Sequence, residues 1–211
     1  MKIFSSWSGG KDSTLALYYG IKKYKKIDYI FTMLSEDCIH SRAHGLNINI
    51  LKRQSKSLNI KLITKCSTWG DYEKNFLDFL EEYVREGIGI FGDIDLQEHL
   101  DWVNNVCSKK NVVAYEPLWQ REREDIVLEF LNLGFKAKII AIKKGIGIEN
   151  YLGKDLSFDL VEEFKKIGID ACGENGEFHT FVYDGPIFNE EIKFSIKSTV
   201  EKNNTLVLEL I

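Results

Sequence analysis

The sequence predicts an α/β protein: an N-terminal unit on a parallel sheet, residues 1–116, and a smaller C-terminal α/β unit, residues 117–211. Three observations carry this. A short apolar run, Met1–Phe4, leads through a glycine-rich turn into a helical segment. A second buried run, residues 28–33 (Asp-Tyr-Ile-Phe-Thr-Met), completes a βαβ start, which requires parallel strands. The alternation then breaks at Glu116-Pro117-Leu118-Trp119, because proline ends regular strand pairing.

The elements follow in order. Met1–Phe4 is the first strand, and the first helix runs from Asp12 to about Lys23. The 28–33 run is rich in aromatic and β-branched residues, as a buried strand should be. The polar stretch Leu34–His44 follows it at the carboxyl edge, where open parallel sheets bind ligands. Asn47–Leu58 repeats apolar residues on a helical period at Ile48, Leu51 and Leu58. Lys61–Thr64 is a short third strand. Tyr72–Arg85 is an amphipathic helix with Phe76, Leu77, Phe79, Leu80, Tyr83 and Val84 inward. Residues 87–92 (Gly-Ile-Gly-Ile-Phe-Gly) form a fourth strand that delivers Asp93 to the carboxyl edge. Glu98–Ser108 is a helix and Val112–Tyr115 a fifth strand.

Past the break, Arg123–Leu133 is a helix stopped by Gly134, Ala137–Ile142 a strand, and Asp159–Ile167 a helix stopped by Gly168. An acidic glycine loop, Cys172–Thr180, precedes strands that begin at Phe181 and turn at Asp184-Gly185-Pro186 and Lys202-Asn203-Asn204.

Chemistry concentrates in the turn after the first strand, residues 8–14 (Ser-Gly-Gly-Lys-Asp-Ser-Thr). Glycine supplies positive φ angles and room for a ligand against the backbone. The free N–H groups and dipole of the following helix suit an anion, Ser8, Ser13 and Thr14 add hydroxyls, and Lys11 adds charge. This is a phosphate cradle, though not the ordinary P-loop. That motif needs a glycine where Ser5 stands and a Ser or Thr where Asp12 stands. A second feature is Gly173-Glu174-Asn175-Gly176-Glu177, whose carboxylates between glycines can enter one cleft to bind Mg²⁺, hold ammonium or act as a base. The competing reading is a solvated acidic turn.

Composition bounds the function. The formal charge of −4 argues against a surface built for nonspecific nucleic-acid binding. Cys38, Cys66, Cys107 and Cys172 form no CxxC pair, so each is expected as a free or buried thiol of a cytoplasmic protein. The chain starts on a strand, so no signal peptide is expected, and no apolar run is long enough to cross a bilayer.

The hexamer Ser8-Gly9-Gly10-Lys11-Asp12-Ser13 resembles the SGGxDS signature of PP-loop ATP pyrophosphatases, whose Rossmann-like domain binds an adenine nucleotide. The chain as a whole is similar to the diphthine–ammonia ligase family of that superfamily. The resemblance rests on residues 8–13, Gly92-Asp93, 103–107 (Val-Asn-Asn-Val-Cys), 117–121 (Pro-Leu-Trp-Gln-Arg), 151–154 (Tyr-Leu-Gly-Lys) and 172–181. It implies a reaction in which ATP adenylates the diphthine carboxylate of elongation factor 2, pyrophosphate leaves, and ammonia displaces AMP. One stretch departs. Residues 39–47 (Ile-His-Ser-Arg-Ala-His-Gly-Leu-Asn) replace a Tyr-Gln-Thr-Val-Gly-like segment and resemble a microbial paralogous branch, which leaves the acceptor open. Asn175 and His179 also stand where the second motif usually carries other side chains.

The expected ATP-binding set is Ser8, Gly9, Gly10, Lys11, Asp12, Ser13, Met33, Gly92 and Asp93, with Asp12 also the Mg²⁺ ligand. Lys11, Asp12, Glu174 and Glu177 are the expected catalytic residues. His44, Gly45, Arg121, Gly173, Glu174, Gly176 and Glu177 are expected at the substrate, with ammonia or ammonium as nitrogen donor. His99 and Trp119 are expected to be structural. Two other readings stand open: a tRNA-modifying PP-loop enzyme, and a non-catalytic ATP sensor. No membrane partner is expected, and oligomeric state is left open.

Overall fold

The computed structural model describes all 211 residues. The chain divides into two compact units, 1–8 with 12–43 and 59–120, and 9–11 with 44–58 and 121–211.

The first unit is a five-stranded parallel sheet in the order β3-β2-β1-β4-β5, formed by β1 (Lys2–Ser6), β2 (Tyr29–Leu34), β3 (Lys61–Cys66), β4 (Gly87–Ile90) and β5 (Val112–Tyr115). Its helices are α1 (Lys11–Tyr24), α3 (Tyr72–Phe79) and α4 (Gln97–Ser108). The strand order reverses beside β1, which makes the carboxyl ends of β1 and β4 the switch point where such sheets take ligands. One face of the sheet buries an aromatic cluster: Phe31 stacks on Phe79 at 3.9 Å between ring centroids, and Phe4 meets Phe79 edge-on at 5.0 Å. Burying each such ring contributes about 1.5–3 kcal/mol.

The helix expected over 72–85 changes character partway. After α3 the chain makes a π turn, Leu80–Val84, closed by the Arg85 N–H donating to the Leu80 carbonyl at 2.7 Å. The wider turn buries both Leu80 and Val84 and leaves Glu81 and Glu82 in water.

Two of the four cysteines overturn the free-thiol expectation. Cys38 and Cys66 are disulfide-bonded, with Cα atoms 5.2 Å apart, while Cys107 and Cys172 are free and buried. The reason lies in the register: β2–β3 pairing sets Leu34 opposite Cys66, and a tight turn in which Cys38 N–H donates to the Ser35 carbonyl brings Cys38 back to that strand end. Thiol chemistry therefore no longer argues for a compartment. No helix is long and apolar enough to cross a membrane.

The second unit is built on an antiparallel sheet in the order β7-β6-β9-β8, from β6 (Lys136–Lys143), β7 (Phe178–Asp184), β8 (Ile196–Lys202) and β9 (Thr205–Leu210). With it belong α5 (Arg123–Asn132), α6 (Phe158–Lys166) and α2 (Ile48–Leu58). α2 falls inside the 1–116 range that the sequence assigns to the first unit. Ser157 caps α6 by accepting from the Leu160 N–H. Asn203 and Asn204 take the positive φ angles of the β8–β9 hairpin.

Candidate active site

In the first unit the cradle starts where β1 ends. The Trp7 N–H donates to the Phe31 carbonyl at 2.8 Å and Thr32 Oγ1 donates to the Trp7 carbonyl at 2.6 Å, so the chain leaves β1 in a fixed direction. Ser8 Oγ and Ser13 Oγ lie 3.0 Å apart, and Asp12 sits in the first turn of α1. β4 reaches this helix start only because residue 92 is glycine: a Cβ there would lie 2.8 Å from the Asp12 carbonyl carbon and 3.0 Å from the Ser13 nitrogen. A cavity of about 690 Å³ opens at the carboxyl ends of β1, β2 and β4, walled by Trp7, Met33, Arg42, Trp69, Asp93 and Trp102 among others. Asp93 is bonded to His99 Nδ1 at 3.2 Å. Near Asp93 sits Glu116, whose two carboxyl oxygens are buried without a hydrogen-bond partner. Burial, with Asp93 adding to it, pushes this carboxyl up to about 7.

In the second unit the glycine tip of the cradle lies along β7. The Gly9 carbonyl accepts from the Val182 N–H at 2.9 Å and from Gln54 Nε2 at 3.0 Å, and the Lys11 N–H donates to Thr180 Oγ1 at 3.1 Å. Gly9 holds φ at 82°, a left-handed angle that glycine adopts without strain. Gly10 packs so tightly that a Cβ would come within 2.3 Å of His44 Cε1. His44 bonds the Thr180 carbonyl at 3.1 Å and stacks on His179 at 4.6 Å. Burial first, and then the nearby His179 and Lys11, hold His44 well below its ordinary range, so it is neutral near pH 7.

Lys11 is 4% exposed, and its Nζ lies 3.7 Å from Glu174 Oε1. The structure thus joins the first motif to the second through one ion pair. Glu177 is placed differently: its carboxylate accepts from the backbone N–H and side-chain amide of Asn175 at 3.0 and 3.1 Å, holding the loop's shape. Gly173 and Gly176 carry the positive φ angles of that loop, and Asp170 anchors it by accepting from the Glu174 N–H and pairing with Arg123. Arg121 pairs with Glu129, and Gly45 takes a φ of 67° directly after His44.

Two family models match, one described as the diphthamide synthase N-terminal domain over residues 1–113 and one as the C-terminal domain over residues 122–207. The chain belongs to the diphthamide synthase family. It is an enzyme of the PP-loop type, an ATP-dependent ligase. The human protein named diphthine–ammonia ligase (Homo sapiens) is 28% identical over 222 residues, covering 91% of this chain and 82% of the relative. The zebrafish protein of that name (Danio rerio) is 23% identical over 95% of this chain and 89% of its own. A solved structure described as a predicted subunit of tRNA methyltransferase from Methanocaldococcus jannaschii covers 91% of this chain and all of its own, with 16% identity and a TM-score of 0.47.

Within this diphthamide synthase framework four residues escape a linear reading. Gln54 is fully buried on α2 and donates to both the Gly9 and Val182 carbonyls; a polar residue on the apolar stripe was the signal for it. Thr180 receives the Lys11 N–H from far along the chain, and no local pattern marks it. Glu116 lies in the strand-breaking motif, where only the proline carries a sequence signal. Arg42 stood in the departing stretch 39–47.

Proposed function

We propose that the chain is an AMP-forming carboxylate–ammonia ligase that acts on diphthine of elongation factor 2. An acceptor carboxylate oxygen attacks the α-phosphorus of ATP, the bond to the β-phosphate oxygen breaks, and pyrophosphate leaves. Ammonia then attacks the acyl carbon, AMP leaves, and the nitrogen gives up its proton to yield the amide. The observation that carries this reading is the Lys11–Glu174 pair at 3.7 Å.

Lys11 and the N–H groups at the start of α1 are the phosphate ligands, with the Ser8 and Ser13 hydroxyls beside them. Met33, Gly92 and Asp93, at strand carboxyl ends, are assigned to the nucleotide. Mg²⁺ held with a nucleotide takes one or two protein carboxylates and fills its remaining positions with phosphate oxygens and water. Asp12, the acid of the first turn of α1, fits that requirement and is assigned to it. Bound there, the ion would neutralise phosphate charge.

Phosphates that engage Lys11 compete with Glu174 for its charge. Glu174 is then freed to attract ammonium and accept its proton as the amine attacks. An acyl-adenylate hydrolyses if water reaches it, so chemistry that forms one favours a water-excluding site. Glu177 holds the shape of the acidic loop, and His44, neutral near pH 7, packs against Gly10 and bonds the Thr180 carbonyl.

Mass spectrometry of diphthine-bearing elongation factor 2, incubated with the chain, ATP and ammonium, tests the reading. Amidation replaces an acid by an amide. Glu174→Gln is expected to bind ATP within a few-fold of the parent and to form no amide. Full amidation by this variant would remove Glu174 from the mechanism, and no amidation by the parent would discard diphthine.

A further inference from the structure

Arg42 is an unusual cation. It lines the cavity of the first unit, and its side chain is only 8% exposed. Its guanidinium sits 4.7 Å from the centre of the Trp69 ring, donates to the Ser67 carbonyl and pairs with Glu36 at 3.1 Å. Glu36 is 59% exposed, so that pair is screened by water. The Arg42 Nε–H remains buried with no acceptor, and so does the neighbouring Ser67 hydroxyl. Two buried donors without acceptors cost free energy unless a ligand meets them. An arginine fork beside an apolar wall is matched to a planar oxyanion, above all a carboxylate.

The surroundings keep this group in place. The Cys38–Cys66 disulfide ties the turn after β2, which leads to Arg42, to the end of β3, which leads to Ser67 and Trp69. Trp69 is 76% exposed yet stacks on Tyr72 at 5.9 Å, an open aromatic flap above the guanidinium. None of this depends on the phosphate cradle.

We propose that Arg42 binds the carboxylate of the acceptor, which makes it a determinant of acceptor specificity. This rests on the ligase reading above and adds the group that recognises the acid. An oxyanion at Arg42 has two sources, the acceptor carboxylate and a phosphate of ATP, and the proposal commits to the first.

Two measurements decide it. In arginine Nε–¹⁵N spectra of the unmutated chain, with the Arg42 signal identified by its loss in Arg42→Lys, titration with acetate is expected to move that signal and titration with ATP to leave it. Movement with ATP alone, or with neither, overturns the proposal. In steady-state amidation of diphthine-bearing elongation factor 2, Arg42→Ala is expected to raise the acceptor KM by about tenfold or more, to leave ATP affinity within about twofold, and to be partly rescued by Arg42→Lys. Glu86→Gln, exposed and outside the cavity lining, serves as the control and should behave as the parent. An unchanged acceptor KM, or a loss confined to ATP, overturns the proposal. If the parent amidates nothing, the diphthine reading fails, and the acetate titration alone judges Arg42.

Discussion

Lys11 is a buried ammonium whose environment suits an incoming anion, and its removal has a defined consequence. A charge-assisted contact to phosphate is worth about 1.5–3 kcal/mol, so Lys11→Ala should weaken ATP binding by about tenfold or more in a calorimetric titration. An unchanged dissociation constant would take Lys11 out of the site. Glu116 tests the first unit by another route. Its carboxyl has an ordinary value of 4.5 and is pushed up to about 7 in the fold, so the folded chain holds this proton more tightly than the unfolded chain. Its contribution is therefore most favourable at low pH and is lost as pH rises from 4.5 through about 7. Glu116→Gln should melt higher than the parent at pH 8, with the difference vanishing toward pH 4; equal melting temperatures at both pH values would contradict the burial argument. At this scale the contiguous motif 8–13 was legible, because its spacing encodes its geometry. The partners of Lys11 were legible only in part. Glu174 was flagged by its glycine loop, while Thr180 and Gln54 reach the cradle through tertiary contacts that leave no local pattern.

Among the elements, the meeting of β4 with the start of α1 is the most constrained. A methyl group at position 92 would press on the Asp12 carbonyl carbon at 2.8 Å, backbone that cannot rotate away. Gly92→Ala should cost about 1–3 kcal/mol, read as a lower urea midpoint. It should also weaken ATP binding, since the strand end and the helix start must shift together. A variant with parental midpoint and affinity would show that the approach is not tight. Strands and helices were legible within a residue or two wherever apolar periodicity was strong, as in β5 and α2. Two features escaped. The π turn over 80–84 inserts one residue into a helix without altering which residues are apolar, so the periodic reading ran through it. The disulfide joins residues 28 apart that only the β2–β3 register and the turn after β2 bring together.

At the scale of the whole molecule the chain carries two sheets, one parallel in the order β3-β2-β1-β4-β5 and one antiparallel in the order β7-β6-β9-β8. The first unit presents strand ends and a helix start, suited to a nucleotide, and the second presents a glycine-hinged acidic loop. The two-part architecture was legible from the proline break after β5. The grouping of residues 9–11 and α2 with the second unit was not, because it depends on long-range contacts of Gly9, Lys11 and Gln54 with β7. The proposed ligase chemistry cleaves ATP between its α- and β-phosphates to activate a carboxylate. Chromatography of the nucleotide products, with diphthine-bearing elongation factor 2, ammonium and Mg²⁺ present, tests it most directly. AMP and pyrophosphate are expected, formed in step with the amide; ADP and inorganic phosphate would contradict this chemistry.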